Sequence, residues 1–409
     1  MLTIAIIGGG ASGMAAAIAA KRQNSKASVI IFEHKDIPGK KILSTGNGRC
    51  NLTNEYMDTS CFRSDCHDKI APVLKQFNAE DTIQFFQQLG ILTKSRNGYI
   101  YPRSDQASAV LDVLRIEIKR LGIEVILNTH VKDIASTKKG FRIFSEGKNY
   151  LADKVILATG SKAAKVLGSD GSGYQIAKSF GHRLVPVVPA LVQLKVKNFP
   201  FAKASGVRTD ACVKAIIDGD EIASDTGELQ ITAYGISGIP VFQISRYIAR
   251  ALYERKEAVV LVDFIPQMSE EDLMDYFLKR KVLLKHVEAG EFLIGVFNQK
   301  LIPRLLELSG IRMNTKVDTL NIEQIKRLTK QCKQTLLTVT DTNGYDNAQI
   351  CAGGVSLDDI NIETMESHYQ NGLYIIGELL DADGICGGYN LQWAWATGMI
   401  AGKNAARQE

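Results

Sequence analysis

The feature that most constrains this chain stands at its start. Ile4–Ile7 is an uninterrupted apolar run, as a parallel strand covered on both faces requires. Gly8-Gly9-Gly10-Ala11-Ser12-Gly13 follows at once, then an alanine-rich helical stretch from Met14 to Lys21. A second strand, Ser28–Phe32, ends at Glu33, with His34 next, twenty residues after Gly13. Each residue of this dinucleotide fingerprint has a physical task. Gly8 allows the tight turn, Gly10 admits a pyrophosphate to the backbone, and Gly13 lets helix and strand approach. The helix that follows presents free N–H groups and a positive dipole end that favour an anion. Glu33 accepts from a ribose hydroxyl and disfavours a 2′-phosphate, which leaves FAD or NAD as the dinucleotide.

The 409 residues predict two or three domains. Hydrophobic residues at 45% and charged residues at 23% exclude a disordered chain. No apolar window is long enough for a membrane helix, and the glycines of the first turn interrupt any signal-peptide pattern. A net charge of +5 is too mild to mark a nucleic-acid binder. Seven scattered cysteines, an odd number, form no disulfide framework, and reduced thiols fit a cytoplasmic location.

Further along, Lys154–Leu157 is another apolar strand running into Ala158-Thr159-Gly160-Ser161. Gly372–Ile376 reads as a strand ending in Gly377-Glu378, before Gly387-Gly388 and a helix from about Asn390 to Ala405. A second glycine-rich turn opening a helix supplies a second anion or carbonyl site, as an extended cofactor needs. At these residues the chain resembles the two-dinucleotide-type FAD flavoproteins.

More closely it resembles a bacterial family labelled aminoacetone oxidase-like FAD-binding proteins, which includes a clostridial 3-dehydro-bile-acid Δ4,6-reductase. The matching stretches are Gly39–Asn54, Tyr101-Pro102-Arg103-Ser104, Gly353-Gly354-Val355, and Gly372-Leu373-Tyr374 through Gly377-Glu378 to Gly387–Gln392. The resemblance spans essentially the whole chain. One motif departs from it: in Gly227–Pro240 the family usually has His after Thr232 and Pro after Ser237-Gly238, where this chain has Ala233 and Ile239. Any chemical role of that His either passes here to another group, for which Tyr234 is the candidate, or is absent.

The expected fold is α/β: a Rossmann-like, two-dinucleotide-type FAD-binding domain from residues 1–189 and 341–409. It is interrupted by a β-rich, barrel-like insert at 190–268 and 334–340, where short alternating segments recur, and by a helical subdomain at 269–333. The implied cofactor is FAD. Its candidate contacts are Gly8, Gly10, Ala11, Ser12, Gly13, Glu33, His34, Lys41, Gly46, Asn47, Arg49, Cys50, Asn51, Val131, Ala158, Thr159, Gly160, Gly377, Glu378, Gly388, Asn390 and Leu391. In the Gly39–Asn51 loop, Gly46 and Gly48 let the backbone approach the cofactor, and Lys40, Lys41 or Arg49 counter the pyrophosphate. Cys50 has no partner at C-x-x-C spacing and reads as a small buried residue. Cys61 and Cys66-His67 lack the second pair that zinc requires, so no metal is expected.

Gly168–Gly173 opens a helix without a buried strand immediately before it, so a second fingerprint is missing. NADH or NADPH would have to visit the flavin transiently. The resemblance implies an FAD-dependent oxidoreductase that reduces a C=C bond conjugated to a ketone, on a steroid such as a 3-oxo bile-acid intermediate, free or CoA-linked. Such chemistry needs a donor for the carbonyl and a proton for the α-carbon. Tyr389 and Tyr234 are the candidates, with Arg103 for a substrate carboxylate. The alternatives are an FAD-dependent oxidase of a small amine or metabolite and an RNA-binding flavoprotein. The latter rests on 12 Lys/Arg against 5 Asp/Glu in residues 279–333, although a solvated helix face explains that excess more simply, and no RNA-binding motif accompanies it.

Overall fold

The computed structural model describes residues 1–407. They form two compact units, one built from Met1–Val187 and the stretch from Ile350 onward, the other from Val188–Gln349.

In the first unit, strand Thr3–Ile7 lies between Ser28–Phe32 and Lys154–Leu157, all parallel, with Glu124–Ile126 beyond one and Leu373–Ile375 beyond the other. Short antiparallel edge strands Ile360–Asn361 and Glu366–Ser367 complete seven. Past their first residues, Thr3, Ser28 and Lys154, the central strands are apolar because helices cover the sheet. The first helix, Ala11–Gln23, and the last, Tyr389–Ala405, pack tightly against each other. Small residues permit this: a Cβ at Gly398 would stand 2.5 Å from the Ser12 carbonyl oxygen, and one at Gly402 would overlap the Ala16 carbonyl. A meander of Val131–Thr137, Gly140–Ser145 and Lys148–Ala152 carries the chain back to the third central strand.

The second unit contains a closed barrel. Its strands run in the order Leu194–Val196, Gly235–Ser237, Asp220–Ile231, Arg208–Ile217, Ala258–Asp263 and Thr335–Thr342, and the last pairs with the first. Period-two burial along Ala258–Asp263 and Thr335–Thr342 points alternate side chains into the core. Two findings differ from the expected boundaries. The segment at 269–333 shares one continuous core with the barrel, through Leu273, Phe277, Ile325 and Leu328, so it is no separate body. The unit also extends past 341 to Gln349. The strand runs on to Thr342, and Asn343 then bonds back into the barrel region, its N–H to Gln193 O at 2.8 Å.

Candidate active site

The fingerprint turn is formed by close backbone contacts. Gly8 has φ +107°, and its N–H donates to Phe32 O at 2.8 Å. A Cβ at Gly13 would overlap the Gly8 carbonyl and stand 3.2 Å from Ala158 Cβ, so helix and strands meet at the distance only glycine permits. Gly10 is different: a Cβ there would meet no atom within 4 Å. That open space lies at the helix N-terminus, where no side chain caps the first N–H groups and no acid occupies the first turn.

Glu33, buried, is oriented by two backbone donors: Gly9 N–H reaches Oε2 at 2.9 Å and Lys35 N–H reaches Oε1 at 2.8 Å. A carboxylate has about four acceptor positions, so it retains capacity for hydroxyl donors. His34 Nδ1 is 3.6 Å from Oε1, and the His34 and His130 rings lie 5.6 Å apart. Burial, opposed by the field of Glu33, holds the His34 pKa below the usual imidazole value. Thr129 N–H donates to Glu33 O at 2.9 Å, which brings the start of the Val131 strand alongside.

The Ala158-Thr159-Gly160 turn and the late Gly377-Glu378 turn close over the same place. Gly377 has φ +68°, and a Cβ there would stand 2.5 Å from Ser12 Oγ. Its N–H donates to Thr397 Oγ1 at 3.0 Å, fixing the turn to the last helix. Lys41 is drawn into this junction: Nζ is 2.7 Å from Glu378 Oε2, which also accepts from Ser161 Oγ at 3.2 Å. The ammonium is thus matched by the Glu378 carboxylate.

Around the second glycine-rich turn, Gly388 (φ +92°) precedes the last helix, whose N-terminus again lacks a side-chain cap and acidic first-turn residues. A Cβ at Gly388 would sit 2.9 Å from Asn51 Oδ1, a buried acceptor without a hydrogen-bond partner. Asn390 clamps the turn, its Oδ1 accepting from Gly384 N–H and its Nδ2 donating to Gly384 O, both at 2.8 Å. Leu391 packs against the core. Gly46, Asn47 and Arg49 are exposed in the preceding loop. Cys50 is fully buried, and burial pushes its thiol pKa up to about 12, so it is no nucleophile at neutral pH.

Tyr389 is buried, edge-on to Phe62 at 5.7 Å. Burial first, then a hydrogen bond with Cys61, pushes its phenol well above the ordinary value. It stays protonated at any working pH and is suited to donate a hydrogen bond, not to release a proton. Arg103 is exposed beyond the hairpin Thr93–Arg96/Tyr99–Pro102. Tyr234 belongs to the second unit, in a turn closed by Thr232 and Gly235, and its OH accepts from Asn343 Nδ2 at 2.9 Å.

Some residues that build the site carried no spacing signal. Gln392 is wholly buried. Its Oε1 accepts from Thr53 and Thr82 hydroxyls at 2.7 Å each, and its Nε2 donates to Phe77 O at 2.8 Å. Asn54 Nδ2 donates to Gly387 O at 3.0 Å. Their only sequence signal was a place inside the recognisable motifs.

Two uncapped helix ends, an open approach at Gly10, an oriented carboxylate and an orphaned acceptor at Asn51 suit a long, anionic, two-ended cofactor. FAD fits this donor set, and the site defines a Rossmann-type FAD-binding protein. The family model described as the HI0933-like protein Rossmann domain matches residues 2–404, and the chain belongs to that family. It is 57% identical over 408 residues, all of both chains, to a 3-dehydro-bile acid delta(4,6)-reductase of Clostridium scindens. A ribosomal RNA dihydrouridine synthase of Escherichia coli is 28% identical over 393 residues, 96% of this chain and 95% of the relative. The structure of a 3-ketosteroid delta1-dehydrogenase from Sterolibacterium denitrificans superposes with TM-score 0.52 at 13% identity, covering 99% of this chain and all of that one, which is a likeness of fold. The protein is an FAD-dependent oxidoreductase. No described helix is long and apolar enough to cross a membrane.

Proposed function

We propose that this protein reduces a C=C bond conjugated to a ketone in a steroid, a 3-oxo bile-acid intermediate, using electrons delivered by NADH or NADPH in the cytoplasm. The observation that carries this reading is the 57% identity, along the entire chain, to a bile-acid delta(4,6)-reductase. When bound, FAD supplies the hydride. The chain's own groups have two tasks, polarising the ketone oxygen and delivering a proton to the α-carbon. Tyr389, held neutral by burial, is the candidate donor to the ketone. Tyr234 is the candidate for the position where the family usually has His next door, and Arg103 for a side-chain carboxylate of the substrate.

A second reading has its own support, in the rRNA dihydrouridine synthases at 28% identity. Converting uridine to dihydrouridine also saturates a C=C bond conjugated to a carbonyl, so both readings ask the same chemistry of the site and differ in what is presented to it. The greater identity favours the steroid.

The test is anaerobic. The flavin absorbance is followed while NADH or NADPH is added, then a 3-oxo-4-ene steroid. Bleaching by the nicotinamide and recovery on adding steroid support the proposal. Bleaching reversed by uridine-containing rRNA and not by steroid replaces it with the second reading, and no bleaching removes the nicotinamide donor.

A further inference from the structure

The hairpin Thr93–Arg96/Tyr99–Pro102 carries groups that the cofactor site does not use. Lys94 pairs with Tyr101 and Arg96 with Tyr99, so strand alternation puts two cations and two phenols on one face. This face lies against the Gly39–Asn51 loop and the Gly387-Gly388 turn. Tyr101 Cε1 is 3.5 Å from where a Cβ on Gly46 would stand, and Tyr99 Cε1 is 3.1 Å from the equivalent point on Gly387.

The Arg96 guanidinium sits 5.9 Å from the Tyr101 ring centroid, with its side chain 49% exposed. Arg49, exposed in the adjoining loop, is close enough for its charge to act on both Tyr101 and Asp105. Asp105 answers the hairpin cations directly: it is ion-paired to Lys94 and lies 3.5 Å from Arg96. Set against Asp105 and Glu55, which lies at the hairpin tip beside Gly98, the three cations Lys94, Arg96 and Arg49 leave one positive charge in excess.

We propose that this face binds the adenosine-pyrophosphate part of a second ligand, either a visiting nicotinamide dinucleotide or a CoA-linked substrate. The inference rests on the reductase reading above, which needs an electron donor, and on the lack of a second fingerprint to hold one. A guanidinium laid over a tyrosine offers a planar fork for phosphate oxygens. The neighbouring phenols offer faces on which adenine stacks. Excess positive charge attracts the pyrophosphate, and contact with Gly387 puts the face beside the turn that opens the last helix.

Calorimetric titration of the oxidised, FAD-loaded protein with NAD⁺, NADP⁺ and coenzyme A tests this without requiring turnover. At least one is expected to bind, and Arg96→Gln to weaken it about tenfold or more, the loss of one charge-assisted phosphate contact. Flavin content and the unfolding midpoint should not change, because Arg96 is exposed. Tyr101→Leu, which removes the stacking face, is expected to weaken the same ligand severalfold. Binding of a nicotinamide dinucleotide assigns the face to the donor, and binding of coenzyme A alone assigns it to the substrate. The proposal is overturned if none of the three binds at millimolar concentration, or if both variants bind as the wild type does. A protein that reduces steroid yet binds none of them removes only this inference and leaves the reductase standing.

Discussion

Replacing Gly10 by alanine separates two demands that the fingerprint makes at once. At φ −74°, ψ −169° Gly10 has a backbone conformation open to any residue, and a Cβ there meets no protein atom within 4 Å. Gly10→Ala should therefore cost the fold no more than the exchange of an N-cap glycine, about 1 kcal/mol or less. Gly13→Ala is the contrasting change, because its Cβ overlaps the Gly8 carbonyl and the helix must back away from the strand. Overpacking of that kind costs roughly 1–3 kcal/mol. With the pyrophosphate over Gly10, the new methyl occupies its space and loosens one or two N–H contacts to a charged group, each worth about 1.5–3 kcal/mol. The affinity for FAD should fall by about 2–4 kcal/mol, roughly 30- to 1000-fold. Apo-protein titrated with FAD, followed by flavin fluorescence, gives the affinity, and urea unfolding of the apo-protein gives the stability. Gly10→Ala should unfold like the wild type and bind FAD poorly, whereas Gly13→Ala should lose both. If Gly10→Ala bound FAD as tightly as the wild type, the pyrophosphate would not lie there and the reasoning would fail.

Gln392→Leu fills the same volume but strands the Phe77 carbonyl and two threonine hydroxyls in the core. It should cost about 3–5 kcal/mol in urea unfolding, and a loss under about 1 kcal/mol would show that the hydroxyls find other partners. Cys50, with its pKa pushed up to about 12, should resist iodoacetamide in the native protein at pH 8. The partly exposed Cys66, Cys212 and Cys386 should be alkylated first, and a peptide map with Cys50 modified first would contradict its burial. His182 is buried, with Nδ1 against Ala177 O at 2.9 Å and Nε2 unpartnered; burial lowers its pKa from 6.5. Below pH 6.5 the unfolded chain therefore takes up a proton that the native state refuses, so the stability His182 contributes is full above that pH and is lost as pH falls towards the lowered native pKa. Unfolding curves of the wild type and His182→Gln should diverge above pH 6.5 and converge under acid; a constant difference would mean that His182 does not titrate in this range.

What was legible in the sequence follows from where its signals come from. Ser28–Phe32 and Lys154–Leu157 were legible as strands because a parallel strand covered on both faces is a nearly continuous apolar run, here Val29–Phe32 and Val155–Leu157. The first helix begins at Ala11, three residues before Met14, because the last residues of the fingerprint, Ala11–Gly13, already lie in its first turn, while Gly8 and Gly10 before them are not helical. The barrel strand Asp220–Ile231 showed only its end near Leu229, since its earlier residues are largely exposed and polar. Its order comes from pairing with Arg208–Ile217, and backbone pairing leaves no hydrophobic period. The cofactor turns were legible because glycine spacing is local. Gln392 was not, because its acceptors and donors lie more than 300 residues away in sequence and only the closed topology brings them together.

That same closure explains how one chain builds both ends of a long binding site. The first and last helices have N-termini with neither side-chain caps nor acidic first turns, and each leaves N–H donors that an anion or carbonyl can take. Gly398 and Gly402 let the last helix lie directly on the Ser12–Ala16 backbone, so the two ends are held by one helix pair. Gln392 and Asn390 then fix the second end, one to Thr53, Thr82 and Phe77, the other to Gly384. Donors unpaired within the protein are met by water in the free protein and by the cofactor in the bound one. The folded state binds FAD and the unfolded chain does not, so cofactor binding adds stability that grows with the logarithm of FAD concentration. Substitutions in the helix pair therefore act on stability and cofactor affinity together, while a change confined to the open space at Gly10 acts on affinity alone.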